Sequence, residues 1–563
     1  MIDNYIKRAK NGESIYICSV RDDFSSTEKV VECILTTATN ETHSFTIPVS
    51  CPENAEDRAF VRDYFYSNLY NIISTFGGKT MTLQTSSENE FILELCSELD
   101  DVFQVNLPRL ERQGYGKCLN VTDRVNEAMG HAPFAFITVN DKQLVCPMND
   151  KTKQNVEKPN IFADAERKYI NIVKKASTMV LLGLDIGGTD IKAIAAVNNR
   201  LAVFKEYDWN PAKMTSVSQL IDGVKGVVED VCSELGQSRQ LDGIGVGFPD
   251  VVIMNKIVGG ETLKTRGIRN ASPDYEKEFA GLLKLNNILL SYCKPGGVVS
   301  MTNDGSLAAF TAAVELAHSS RVDEIKNGVL AHTLGTELGT GWVDENGEVP
   351  QIPLEIYNCV VDVGNYPARK FLPFDLRSTL NFNTQIAGTM QKYASQSGAY
   401  RLAIDYFKKH SPENYSEMFK RGFIEERHDG LYVITSPEDM RKPLLEFIMK
   451  LADDNEPSAE GVFFEIGKYL AATWRETEFL LNPKAKGRII YGRFVKSAKC
   501  MRLMQEGART LKGASEFEME AGNDELAYTP LMKELKENPH FTVAQFGQSV
   551  GAIYYALQNS QSV

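Results

Sequence analysis

Two stretches of this chain bring together residues suited to holding phosphate. In "VLLGLDIGGTDIKAIAAV", residues 180–197, Asp185 precedes a bend made by Gly187, Gly188 and Thr189, and Lys192 follows it. In "HTLGTELGTGWVDENG", residues 332–347, Gly335, Thr336, Gly339, Thr340 and Gly341 repeat the combination of glycine and hydroxyl. Successive backbone N–H groups in such bends form concavities that bind anions, and threonine hydroxyls add donors. Two of these bends facing each other grip a polyphosphate from both sides. The plainer alternative is that each is a tight turn, since a Gly-Gly hairpin needs glycine only for its positive φ angles. The glycines of the first stretch lie between two strand-like runs. A Walker loop or a dinucleotide fingerprint sets its glycines between a strand and a helix, so neither motif is written here.

The elements that must position these bends follow from hydrophobic patterning. From residue 180, "VLLGLD", "IKAIAAV" and "LAVFKEYDW" read as a three-strand meander. Helical and strand-like runs then alternate through "SVSQLIDGVKGVVEDVCSEL", "DGIGVGF", "YEKEFAGLLKL", "GGVVSMTND" and "GSLAAFTAAVELA", which predicts a layered α/β unit. The pattern restarts with "NGVLAHTLG", "TGWVDENG" and "EVPQIPLEI", read as a second run of short strands. Two halves that open alike imply an internal duplication around a cleft: a first lobe over 179–325 and a second over 326–563. Within the second, 395–445 reads as a charged, mostly helical insertion, and "GVFFEIGKYLAATWRETEFLLNP" as a long amphipathic helix. "GRIIYGRFV" reads as a buried strand and turn, and "VAQFGQSVGAIYYALQ" as a last helix.

Residues 1–150 read as an α+β accessory domain of unassigned role. Its strand-like runs are "SIYICSV", "VVECILTTAT", "HSFTIPV", "TMTLQT", "EFILELC" and "FAFITVN", with a helix over "AEDRAFVRDYFYSNLYNIISTF". A linker, "NDKTKQNVEKPN", and a helix complete 151–178.

At 563 residues the chain exceeds one ordinary hydrophobic core. Its 43% hydrophobic and 24% charged residues are those of a folded globular protein, not of a disordered one. A formal net charge of −13 without a basic block gives no electrostatic reason to approach nucleic acid. The ten cysteines form no C-x-x-C pair, so neither a zinc knuckle nor a redox motif is expected, and scattered thiols suit a reducing cytosol. The absence of a signal-like or membrane-length apolar run leads to the expectation of a cytoplasmic protein without a membrane partner.

Five segments, in order over roughly residues 180–560, resemble the ROK sugar kinases of the actin, hexokinase and Hsp70 ATPase superfamily. "LGLDIGGTDIKAIAAV" resembles their first phosphate motif and "HTLGTELGTGWVDENGEV" their second. "GIGVGFPDVV" is similar to their "GIGxPGxVD", "MTNDGSLAAFTAAVE" to "NDANAAALGE" and "PLEIYN" to "GEIGH". The resemblance implies a duplicated ribonuclease H-like (actin-like ATPase) fold, and transfer of the γ-phosphoryl of ATP to a sugar hydroxyl of the hexose or amino-sugar class. On it Asp304 matches the catalytic aspartate that accepts the hydroxyl proton; helix N-capping is its plainer role. Asp185 is implied to act on Mg²⁺ through water, or else it is a turn former at a strand end.

Asn303, Glu355, Gly247, Pro249 and Asp250 match sugar-side positions, although Phe248 and Asp250 replace small residues and a glutamate at a strand edge is ordinarily just solvated. Only Gly492 of "YGRF" carries over from the adenosine-side "GGG". Arg266 and Arg269 fall where relatives contact sugar, which allows an acidic or phosphorylated substrate. Tyr357, Asn358 and Cys359 stand where the family has a histidine and a cysteine-rich zinc motif, so no structural zinc is expected. A small-molecule sugar is the implied partner, and a homodimer stays open as the assembly. The opposing expectation is a regulator of the same fold that senses sugar and has lost turnover; no DNA-binding winged helix is legible in residues 1–150. An ATP-driven clamp of the actin or Hsp70 sort is a third class.

Overall fold

The computed structural model describes residues 1–27, 29–85, 89–140, 161–236, 240–259, 263–335, 338–364, 375–428, 432–522 and 526–558. The linker read at 149–160 lies outside the described residues, as does Thr336.

The N-terminal segment runs α1 (Ile2–Lys10), α2 (Ile17–Phe24), β1 (Val30–Thr36), β2 (Thr42–Pro48), α3 (Ala55–Phe76), β3 (Thr80–Thr85), α4 (Glu90–Ser97), α5 (Leu99–Val102), α6 (Cys118–Ala128) and β4 (Ala135–Asn140). Its sheet has the order β2-β1-β3-β4. Of the runs read as strands, "EFILELC" lies in α4 and the last four residues of "SIYICSV" begin α2. A short apolar run suits either state, and here the ends decide. The Asn89 side chain accepts the N–H groups of Phe91 and Ile92 as the cap of α4, while Ile15 N–H is held by Asp362 Oδ1 and Ile17 N–H by the Val361 carbonyl. From Phe60 to Phe76 nearly every position of α3 is buried. Phe45, Tyr64, Ile73 and Phe76 share one apolar core with Leu334, Leu470, Trp474 and Phe494. The segment read as an accessory domain therefore has no core separate from the second lobe.

The first lobe comprises α7 (Ile161–Ala176), β5 (Val180–Ile186), β6 (Asp190–Val197), β7 (Arg200–Asp208), α8 (Val217–Leu235), β8 (Leu241–Phe248), β9 (Val252–Ile253), β10 (Lys256–Ile257), α9 (Arg266–Ala271), α10 (Tyr275–Phe279), α11 (Leu285–Leu290), β11 (Cys293–Asn303) and α12 (Asp304–Ala317). Its sheet has the order β11-β8-β5-β6-β7. β5, β6 and β7 form the antiparallel meander read from sequence, and β8 and β11 add parallel.

The second lobe comprises β12 (Val329–Leu334), β13 (Leu338–Val343), α13 (Gln396–His410), α14 (Pro412–Lys420), β14 (Glu425–His428), β15 (Tyr432–Thr435), α15 (Arg441–Asp453), α16 (Pro457–Leu481), β16 (Gly487–Gly492), α17 (Ala498–Arg509), β17 (Glu518–Ala521), α18 (Pro530–Lys536) and α19 (Val543–Tyr555). Its sheet has the order β13-β12-β16-β17. The antiparallel, parallel, parallel succession of β6-β5-β8-β11 recurs in it, strand for strand. This is the duplicated ribonuclease H-like architecture.

Three readings change. "EVPQIPLEI" is no third strand: Pro350 and Pro353 lack ladder donors, and the N–H groups of Leu354 and Glu355 turn to the carbonyls of Thr75 and Ser74 at the end of α3. The insertion includes the β14–β15 hairpin as well as helices. α16 is buried around most of its circumference rather than amphipathic, with Trp474 and even Glu476 inside. Finally, α19 crosses back onto the first sheet so closely that a Cβ at Gly183 or Gly245 would lie 1.9 or 1.7 Å from the carbonyl oxygens of Ser549 or Ala552.

Candidate active site

Parallel strands end together, and open α/β sheets bind ligands at their carboxyl ends. β5, β8 and β11 finish at Ile186, Phe248 and Asn303, and β12 and β16 at Leu334 and Gly492. A cleft of about 330 Å³ opens there between the lobes. Gly188 and Thr189 line it from the first bend, Gly335, Gly339 and Thr340 from the second, and Asp304 stands in the same wall with Pro249, Asp250, Asn303 and Glu355. Asp185, Gly187, Lys192, Gly247, Gly341 and Gly492 are not among the residues that line it.

The first bend is closed by the Gly187 N–H on the Asp190 carbonyl at 2.8 Å. Neither Gly187 nor Gly188 has positive φ, so the hairpin-turn explanation of these glycines does not hold. Gly187 leaves space instead, since a Cβ there would sit 3.0 Å from the Asp190 carbonyl oxygen, whereas one at Gly188 would make only ordinary contact with the Lys264 methylenes at 3.5 Å. Asp185 lies across from Lys192 on one side and Gly247 on the other. Burial pushes its carboxyl up to about 6; the Lys192 charge opposes that shift and the Asp304 charge adds to it. The Lys192 amine is held by Asp190.

Asp304 begins α12, but the cap is Asn303, whose Oδ1 accepts the Gly305 N–H at 2.9 Å. The Asn303 amide donates to the Asp250 carbonyl at 3.0 Å. Asp304 Oδ1 also accepts the Gly305 N–H, and Oδ2 lies 3.4 Å from Lys264 Nζ. The helix N-terminus favours a carboxylate at this place. β13 is pressed onto it: a Cβ at Gly341 would be 1.8 Å from the Gly305 carbonyl oxygen. The second glycine bend and Asp304 are thereby set against each other by direct backbone contact.

Asp250 is buried and its carboxyl is pushed up to about 6 by that burial. Its Oδ1 accepts the Val251 N–H, while Oδ2 is a buried atom without a hydrogen-bond partner among the described residues. Glu355 is not a solvated edge residue. It is buried, with Tyr357 and Asn358 donating to its two oxygens at 3.3 and 3.2 Å. Gly247 serves packing, since a Cβ there would meet Leu307 at 2.6 Å. Arg266 lines the cleft with Glu438 3.6 Å away, whereas Arg269 packs over the Tyr275 ring. Gly492, at φ +104, packs on the Leu334 carbonyl beside the second bend.

Sequence reasoning passed over Lys264, Tyr357, Glu438 and Arg441, all of which line the cleft. Lys264 stood in the basic run "LKTRGIRN" and was legible there; Glu438 and Arg441 carry no signal, because the insertion that bears them reaches the site only on folding. Cys359 is buried against Asn71 and Thr75. Among the described residues no group of three or more His, Cys, Asp or Glu side chains is gathered as a metal cage.

No family model and no curated protein matches the sequence. Among solved structures, the chain is similar to a ROK family glucokinase from Streptomyces griseus, in complex with glucose and AMPPNP, at 18% identity and a TM-score of 0.41, over 68% of this chain and 100% of that one. A ROK hexokinase from Thermus thermophilus matches at 16% identity and a TM-score of 0.39, again over 68% and 100%. A ROK family transcriptional regulator, a homolog of the E. coli MLC protein, matches at 15% identity and a TM-score of 0.39, over 68% of this chain and 80% of that one.

Proposed function

We propose that the protein transfers the γ-phosphoryl group of ATP to a hydroxyl of a hexose or amino sugar. The observation that carries this reading is that both glycine bends and Asp304 line one interlobe cleft. Phosphoryl transfer asks a protein mainly for positioning and charge neutralisation. The two bends supply N–H and hydroxyl donors from opposite lobes. Asn303, Asp250 and Glu355 offer polar groups to a polyhydroxyl ligand, and Asp304 receives the proton of the attacking hydroxyl as its oxygen bonds to phosphorus. The bond from the γ-phosphorus to the bridging oxygen breaks, and ADP departs with that electron pair. Lys264 holds Asp304 in place and adds positive charge beside the transferred group.

Mg²⁺ fits Asp185 through water, because that half-buried carboxylate lies near the charge of Asp304 and no protein cage is required. When bound, the ion supplies charge neutralisation for the phosphates.

Asp304→Asn is expected to lower sugar phosphorylation by at least about 100-fold, the scale of a lost general base, with sugar binding retained. Undiminished turnover in that variant overturns the mechanism. A sugar that raises thermal stability without any phosphorylation, in the unaltered protein with Mg-ATP, points instead to the sugar-sensing regulator.

A further inference from the structure

Behind the second glycine bend lies a buried hydrogen-bonded chain that no part of the proposed reaction has yet used. His332 on β12 stands across from Thr340 on β13 and is completely buried. Its Nδ1 is 3.1 Å from Thr340 Oγ1, and its Nε2 is 3.1 Å from Trp474 Nε1 on α16. Thr340 in turn lines the cleft.

The donor directions in this chain follow from chemistry. Indole Nε1–H donates and never accepts, so Nε2 of His332 must be the acceptor. A neutral imidazole whose Nε2 is bare carries its proton on Nδ1, and that proton is shared between Thr340 Oγ1 and the Gly339 carbonyl. The ring stays neutral: burial drives the imidazole pKa down to about 3, and the neighbouring Arg488 guanidinium pushes the same way. With its oxygen accepting from His332, the Thr340 hydroxyl has its own proton to give elsewhere, and Thr340 is among the residues that line the cleft.

We propose that Trp474 and His332 are positioning residues that orient the Thr340 hydroxyl as a donor to a nucleotide phosphate oxygen. The inference rests on the kinase reading above and deepens it. Without the indole donor, the imidazole can carry its proton on Nε2 and leave Nδ1 bare. The Thr340 proton then turns inward to that nitrogen, and the cleft loses a donor.

Mg-ATP affinity of the full chain, measured by calorimetry without sugar, tests the relay. Trp474→Phe and Thr340→Val are each expected to weaken Mg-ATP binding about tenfold, the scale of one hydrogen bond to a charged acceptor, and to leave sugar affinity unchanged. The double variant is expected to be no weaker than either single one, because both remove the same donor. His332→Asn, whose amide nitrogen can stand in for Nδ1–H, retains affinity within about twofold, while His332→Leu loses it. In the unaltered protein labelled with ¹⁵N-histidine, the ring whose signals vanish in His332→Asn must show a protonated Nδ1 and a bare Nε2. The opposite tautomer, unchanged affinity in Trp474→Phe, or additive losses in the double variant overturn the relay alone. Failure of the unaltered protein to bind Mg-ATP overturns the kinase reading and the relay together.

Discussion

Arg21→Ala asks whether residues 1–140 form one folding unit with the second lobe. Arg21 Nη2 donates to Glu476 Oε1 and Oε2 at 3.0 and 2.8 Å, and the guanidinium carbon lies 3.6 Å from the centre of the Phe479 ring. The Arg21 side chain is 11% exposed and that of Glu476 0%. Removing the cation leaves a carboxylate out of water with Asn71 Nδ2, at 2.9 Å, as a donor. Breaking one side of a buried pair costs about 3–5 kcal/mol, and the lost cation–π contact adds about 1–2 kcal/mol. The control is Arg8→Ala, whose pair with Glu13 has side chains 41% and 52% exposed and is worth under about 1 kcal/mol. Urea titration followed by tryptophan fluorescence compares the midpoints, which stay meaningful in a chain of several lobes where a single two-state free energy does not. Arg21→Ala is expected to unfold at clearly lower urea than Arg8→Ala. Adding Glu476→Leu should restore most of the loss, since apolar replacement of a whole buried pair is often neutral. Equal midpoints for the two single variants, or a double variant weaker than Arg21→Ala, would refute the reasoning.

Asp185 gives a pH-dependent prediction. Its carboxyl is raised from 3.8 to about 6 in the folded protein, so the native state holds the proton more tightly than the unfolded chain, and unliganded stability contributed by this group falls as pH rises through that window. Asp185→Asn should therefore melt higher than the unaltered protein at pH 7.5 and no higher at pH 4; a variant less stable at pH 7.5 contradicts this. Gly341→Ala places a methyl 1.8 Å from the Gly305 carbonyl oxygen. Overpacking of this kind costs about 1–3 kcal/mol or more, and it pushes β13 off the helix that carries Asp304. Both melting temperature and kcat should drop, and a variant with unaltered values of both removes the claim that this contact sets the site.

Much of the scaffold was readable in the chain. The meander over 180–208, the helix over residues 55–76 and the restart near residue 329 all declare themselves through local periodicity, because a strand or helix is specified by the spacing of its own apolar residues. The glycine spacing was legible as local sequence, and the Asn303–Asp304 pair through the resemblance of "MTNDGSLAAFTAAVE" to the ROK kinase motif. "SIYICSV" and "EFILELC" misled because a short apolar run fits a buried strand and a buried helix alike, and their outcome was settled by caps and anchors. The positive-φ explanation of Gly187 and Gly188 failed because neither adopts that conformation, and at Gly187 the constraint is space beside the Asp190 carbonyl.

What the sequence by itself determined was a duplicated α/β scaffold, two glycine bends and a carboxylate at a helix start. Only the tertiary structure decided that the bends share one cleft, that Ser74 and Thr75 of the N-terminal segment hold the backbone at Leu354 and Glu355, and that Lys264 and Arg441 complete the wall. It also decided the partners of His332, since Trp474 is 142 residues away in the chain. Local patterns record which face of an element is apolar. Which elements meet is set by the packing of whole faces and by the need of every buried polar group for a partner.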